Sequence, residues 1–152
     1  MSTDREPAAA GPSREVILNR ALSIYDKNLA VQLATTGGSY SPWVLGAYFA
    51  SDGADLLLVI ESSGKTYQNL QKNRSVAFSI SENDASKDFL QGCGEAVFLS
   101  PEDEAMVRRK LVEKLPSFQT YTPVVPVRIR VRELFVSSLQ SGWFPAKIWR
   151  AE

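Results

Sequence analysis

The stretch Leu56-Leu57-Leu58-Val59-Ile60-Glu61-Ser62-Ser63-Gly64-Lys65-Thr66-Tyr67-Gln68-Asn69-Leu70 changes character twice within fifteen residues. Five apolar residues in a row are too few for a core helix and suit a central strand covered on both faces. A turn rich in hydroxyls, with one glycine and one lysine, then leads into a short helical pattern over 65–72, which Asn73 terminates. Val76, Phe78 and Ile80 resume strand alternation directly afterwards. Strand therefore follows strand with little helix between, which points away from a parallel βαβ sheet.

The flanking sequence extends that pattern. Upstream, Leu29, Val31, Leu33 and Thr35 alternate with Ala30, Gln32 and Ala34, and the run stops at Gly37-Gly38-Ser39. Residues 43–50 read as the returning strand, with a turn at Asp52-Gly53, so the first three strands are expected to form an antiparallel meander. Ser13 can cap a helix running to about Lys27, whose apolar stripe is Ile17, Leu18, Ala21, Leu22 and Tyr25. Residues 1–12 show no apolar period and are expected to form a disordered leader to a single domain over 13–152.

Downstream, residues 82–87 form a polar loop, and a longer strand over 89–99 carries Gly92 and Gly94, where a bulge or bend is expected. Ser100-Pro101-Glu102-Asp103-Glu104 opens a helix with an inward stripe of Val107, Leu111 and Leu115, ended by Pro116. Val125, Val127, Ile129 and Val131 alternate as a strand, and residues 134–139 are expected to return beside it as a hairpin partner. About seven strands with three helices predict an α+β fold, an antiparallel split β-barrel with flanking helices.

Composition narrows the chemistry. The 152 residues include 17 Lys+Arg and 17 Asp+Glu, so no net charge provides the positive field of a nucleic-acid binder. One cysteine and no histidine exclude an internal disulfide, an ordinary Cys/His zinc site, a Ser-His-Asp triad and a histidine-ligated heme. No run approaches the roughly 20 apolar residues of a membrane span, and no signal peptide is recognisable, so a cytoplasmic protein without membrane or nucleic-acid partners is expected.

Within these limits the turn after Ile60 is the leading candidate site. Ser62, Ser63, Lys65 and Thr66 offer hydroxyls and an ammonium beside the free N–H groups of a helix start, which is the outline of a phosphate cradle. The same residues also read as a helix cap and an exposed lysine. Gly64-Lys65-Thr66 resembles the end of a P-loop, but that pattern needs a glycine at position 59, where Val59 stands. Trp43, Tyr48, Trp143, Phe144 and Trp149 could serve a planar ligand or plain packing. Arg128, Arg130 and Arg132 share one strand face, Cys93 lacks a histidine to activate it, and no carboxylate pair stands out as an acid/base couple. No catalytic residue and no metal ligand is assigned, and any catalysis is expected to depend on a cofactor.

Leu33-Ala34-Thr35-Thr36, Ser41-Pro42-Trp43, Tyr48-Phe49, the apolar 56–60 run, Ser62-Ser63-Gly64-Lys65-Thr66-Tyr67-Gln68-Asn69-Leu70 and Leu90-Gln91-Gly92-Cys93-Gly94-Glu95-Ala96 come in a particular order. In that order and spacing the chain resembles the pyridoxamine 5'-phosphate oxidase-like family of FMN-binding split β-barrels. The resemblance implies a homodimer with FMN at the subunit interface, with deazaflavin and FAD as alternatives, and a flavin-dependent oxidoreductase acting on a small-molecule substrate. It places backbone groups of Val59 and Ile60 against the flavin, Lys65 and Thr66 on the phosphate, and Leu45 and Gly46 along the ring. Trp143 becomes the candidate for a stacking ring from the partner subunit. Where the family has a basic pair this chain has Lys65 and Thr66, and the C-terminal arginine and histidine motif of the named enzymes has no counterpart, so that specific activity is not expected. A non-catalytic module that binds or senses a flavin, or another planar cofactor, is the rival reading.

Overall fold

The computed structural model describes residues 11–152, so the first ten residues of the expected leader lie outside the described part. Helix α1 (Arg14–Lys27) starts where a hydroxyl can satisfy a free amide: Ser13 is extended at φ −66° and ψ 160°, and its Oγ accepts from the Val16 N–H at 3.2 Å. Ile17, Ala21, Ile24 and Tyr25 form its buried face, with Leu18 and Leu22 at the margin.

Eight strands share one antiparallel sheet: β1 (Ala30–Thr35), β2 (Trp43–Tyr48), β3 (Ala50–Asp52), β4 (Asp55–Glu61), β5 (Ser75–Ile80), β6 (Phe89–Phe98), β7 (Val124–Ser138) and β8 (Trp143–Arg150). Their spatial order is β2-β1-β5-β6-β7-β4-β3, with β8 attached to β7. The strands at the two ends of this path, β2 and β3, are separated in the chain by Phe49 alone, which is fully buried. The sheet must therefore curl until its ends come together, and the opening left between β2 and β4 makes a split barrel.

That order corrects the expected meander. β1 and β2 form one hairpin and β3 and β4 another, but β4 pairs with β7 instead of continuing from β2. Alternation identifies a strand without naming its neighbour. The expectation that the apolar 56–60 run is covered on both faces holds. Leu56, Leu58 and Ile60 enter the barrel core, while Leu57 packs outside with Ala50, Val107 and Leu111 under helix α3 (Pro101–Lys114).

The second correction concerns β7. Residues 124–138 run as a single strand of 15 residues, and 134–139 does not fold back on the preceding segment. The apolar phase slips between Val131 and Leu134 because β7 carries one extra residue there: Cys93 faces Glu133 and Gly94 faces Val131, which leaves Arg132 unpaired on that side. A bulge slips the alternation as a turn would, without reversing the chain. Gly94 makes the bulge possible, since a Cβ there would lie 2.1 Å from the Arg130 carbonyl oxygen, and one on Gly92 would lie 2.3 Å from the Phe78 ring. The hairpin partner of β7 is β8, a strand the sequence reading had not assigned, entered through Gly142 at φ +69°.

α3 closes the corner where β2 gives way to β3. Ser100 Oγ bonds the Asp103 carboxylate at 3.1 Å, with Pro101 in the first turn. At the other end Lys114 donates to the carbonyls of Tyr25 at 3.0 Å and Phe49 at 3.2 Å, with its ammonium 3.6 Å from the centre of the Phe49 ring. Of the arginine trio, Arg128 bonds Asp52 at 2.9 Å and Asp55 at 3.1 Å, holding the Asp52 carboxyl below its usual range, while Arg130 and Arg132 are exposed. No described helix is long and apolar enough to cross a membrane.

Candidate functional site

The opening of the barrel is a cleft of about 730 Å³ between the unpaired edge of β2 and the end of β4. β2 is hydrogen-bonded to β1 on one side only, so its other edge presents free backbone N–H and C=O groups toward the opening. Trp43, Leu45, Gly46, Ala47 and Tyr48 supply that wall. Opposite lie Val59, Ile60 and Glu61 of β4 and the first residues of helix α2 (Lys65–Lys72), and the segment 118–124 closes the third side.

Local sequence explains why α2 begins open. Its N-cap is Gly64, which has no side chain to accept from the first amides, so the cap makes no side-chain hydrogen bond. The expectation of Ser63 as a capping residue is not met; Ser63 is exposed and lines the cleft. Amides at a helix start have no partner within the helix; here the Gly64 N–H bonds the Glu61 carbonyl at 3.1 Å, and the amides after it carry the positive end of the helix dipole to the cleft wall. Thr66, 3% exposed, also lines the cleft, and its hydroxyl is buried without a hydrogen-bond partner. Native proteins seldom leave such a group unpaired, because desolvation without a new hydrogen bond costs free energy.

Lys65 stands over two rings, with its ammonium 4.8 Å from the centre of Tyr40 and 5.2 Å from that of Trp43. Asn69, buried one turn further along α2, fixes that pair. It donates to Thr35 Oγ1 at 3.0 Å and to the Tyr40 carbonyl at 2.9 Å, and it accepts from the Gly38 N–H at 2.8 Å. The β1–β2 turn is thereby pinned to α2. Gly38 is required for this closeness, since a Cβ there would lie 2.6 Å from the Asn69 amide oxygen.

The structure brings together most of the residues singled out from sequence. Leu45, Gly46, Val59, Ile60, Ser63, Lys65 and Thr66 all line the cleft. Ser62 does not: its N–H and hydroxyl both reach the Pro123 carbonyl, at 3.0 and 3.2 Å, and strap the turn to the 118–124 wall. Trp143 does not either. It is 7% exposed, packed in this chain's own core with the Arg20 guanidinium 4.5 Å from its ring centre, so the ring expected to reach a partner's flavin is sealed at home. Gly46 faces Gln32, whose amide would lie 3.2 Å from an added Cβ.

Sequence reasoning missed Glu61, Phe118, Thr120, Tyr121 and Thr122 as cleft residues. Phe118 packs edge-on against Tyr48 at 6.3 Å, and Thr122 donates to the Glu61 carboxylate at 3.0 Å. The aromatic and threonine content of 118–122, placed between a helix stop and a strand, was the available signal. Among the described residues no cluster of His, Cys, Asp and Glu could hold a metal ion.

With this geometry in view, comparison with solved structures names the architecture. The chain superposes on a candidate pyridoxamine 5'-phosphate oxidase from Listeria innocua with a TM-score of 0.66 at 16% identity, covering 79% of this chain and 97% of that one. The fold is a split β-barrel. The heme binding protein of Mycobacterium smegmatis gives a TM-score of 0.73 at 15% identity over 93% of this chain and 60% of that one, so this chain spans less than two thirds of its length. HutZ, the heme storage protein of Vibrio cholerae, gives 0.64 at 19% identity over 78% of this chain and 94% of that one. No protein-family model and no curated protein matches the sequence.

Proposed function

We propose that this split barrel binds FMN in the β2–β4 cleft and acts as a flavin-dependent oxidoreductase, in the cytoplasm, on a small substrate. The observation that carries the reading is the unsatisfied polar end of the cleft: uncapped amides at the start of α2, the unpartnered Thr66 hydroxyl and the Lys65 ammonium lie beside one another on one wall. An anionic tail accepts from all three kinds of donor. The apolar and aromatic walls from Leu45, Tyr48, Val59 and Phe118 suit a flat heterocycle, and the free β2 edge offers hydrogen bonds to its polar rim. When bound, a flavin supplies the electron chemistry, and these residues orient it and limit the access of water.

A homodimer belongs to the same proposal. The outer side of β2 leaves Val44 at 61% and Tyr48 at 49% exposure beside Tyr121 at 85%, an apolar border that a second copy would cover. Titrating FMN into the purified chain, with flavin fluorescence as readout, tests the reading. Saturable quenching is expected, and Lys65→Ala should weaken binding by about 1.5–3 kcal/mol, the range for hydrogen bonds to a charged group. No quenching at any concentration would remove the proposal. Bleaching of the bound flavin by NADH or NADPH, followed by reoxidation in air, separates an enzyme from a module that only binds or senses.

A second reading is heme, favoured by two of the structural neighbours being described as heme binding and heme storage proteins. The absence of histidine leaves iron ligation here to another residue type. Hemin titrated in parallel decides between the two: a Soret shift that saturates where FMN does not bind would favour heme.

A further inference from the structure

Resting on the flavin reading, we infer that Glu61 is a specificity-determining residue that disfavours a doubly charged phosphate in the cleft, relative to the same heterocycle with an uncharged tail. Glu61 and Lys65 are the two charged residues among those lining the cleft, and their formal charges cancel. They are not paired with each other, since no ion pair of Lys65 occurs within 4.0 Å among the described residues. The carboxylate stands at the start of α2: its Oε2 lies 3.7 Å from the position a Cβ would take on the N-cap Gly64, and Oε1 accepts from Thr122 at 3.0 Å.

An anion tail that reaches the uncapped amides therefore meets a fixed negative charge at the same helix end. The helix dipole attracts both, and each repels the other. Glu61 thus acts as a built-in competitor for the site that Lys65 and Thr66 offer. Its cost rises with the charge on the tail, so it bears hardest on a phosphate dianion and leaves a neutral ribityl tail untouched.

The test compares FMN with riboflavin, which share the heterocycle and differ in the phosphate, on the full chain and on Glu61→Gln and Glu102→Gln. Dissociation constants are read by flavin fluorescence quenching at low and at high salt. Glu61→Gln is expected to tighten FMN by roughly three- to tenfold at low salt, with the gain shrinking at high salt, while riboflavin changes by less than about twofold. Glu102→Gln removes one negative charge from the exposed first turn of α3, outside the cleft, and should leave the FMN-to-riboflavin ratio near that of the parent chain.

An FMN affinity that is unchanged or weaker in Glu61→Gln would overturn the inference, as would equal tightening of both flavins, which would signal space and not charge. The same holds if Glu102→Gln reproduces the Glu61→Gln shift, since the overall charge and not a charge in the cleft would then be responsible. Failure of both flavins to bind any of the three proteins would instead overturn the flavin reading itself.

Discussion

Lys114 and Lys65 are both half-buried lysines held over aromatic rings, and they differ in what else their ammonium groups touch. At the α3 corner, Lys114 lies 3.6 Å from the centre of the Phe49 ring and donates to two backbone carbonyls. At the cleft, Lys65 lies 4.8 and 5.2 Å from the centres of two rings and, among the described residues, has neither a carboxylate within 4.0 Å nor a hydrogen-bond acceptor for its ammonium. A ring face is worth about 0.5–1 kcal/mol to an exposed cation, so the carbonyls make the difference. Lys114 closes the barrel where β2 turns into β3; Lys65 keeps its donors for something outside the chain.

Three substitutions would break or sharpen this contrast. Lys114→Ala leaves the Phe49 carbonyl without its donor and the Tyr25 carbonyl with only the Asn28 N–H, and should cost about 1.5–3 kcal/mol of stability by urea denaturation, with FMN affinity little altered. Asn69→Ala strands the Gly38 N–H and Thr35 hydroxyl and should cost about 1–3 kcal/mol. Because Asn69 also holds Tyr40 beside Lys65, flavin affinity should fall with it. Lys65→Ala should move stability by no more than about 0.5 kcal/mol. A large loss of stability there would make Lys65 a second Lys114 and undo the distinction.

Much of this contrast was legible beforehand, though unevenly. Ser13, Asn73 and the Ser100-Pro101 pair marked helix ends through local chemistry, and the limits of α1, α2 and α3 follow them closely. Gly92 and Gly94 foretold an irregular β6, because backbone approach there excludes a side chain. What stayed hidden was partnership. The bulge at Arg132 disguised β7 as two strands, and Trp143 looked like a free ring because Gly142 and Pro145 masked β8. In the cleft, residues on the β4–α2 turn were visible as one short stretch, whereas Phe118 and Thr122 arrive from a segment more than 50 positions away. Lys114 gave no sign at all, since a lysine in the last turn of a helix is ordinary until a carbonyl pair is found beneath it.

A further expected effect is a pH dependence that belongs to Lys114. Burial pushes the Lys114 ammonium down from its ordinary 10.5 to about 8, partly opposed by the nearby Asp26 carboxylate. In the window between these values the native state has released a proton that the unfolded chain still holds, so the unfolded state binds more protons and stability rises with pH. Below pH 8 both states are protonated and the contribution vanishes from the slope. Above its ordinary value of 10.0, Tyr25 works in the opposite direction, because burial raises its hydroxyl in the native state and only the unfolded chain ionises readily. The interval from pH 8 to 10 therefore isolates Lys114. Urea midpoints measured across it should climb in the parent chain and should flatten in Lys114→Met. A climb that survives in Lys114→Met would assign the titration to another group and leave the Phe49 corner held by its carbonyl contacts alone.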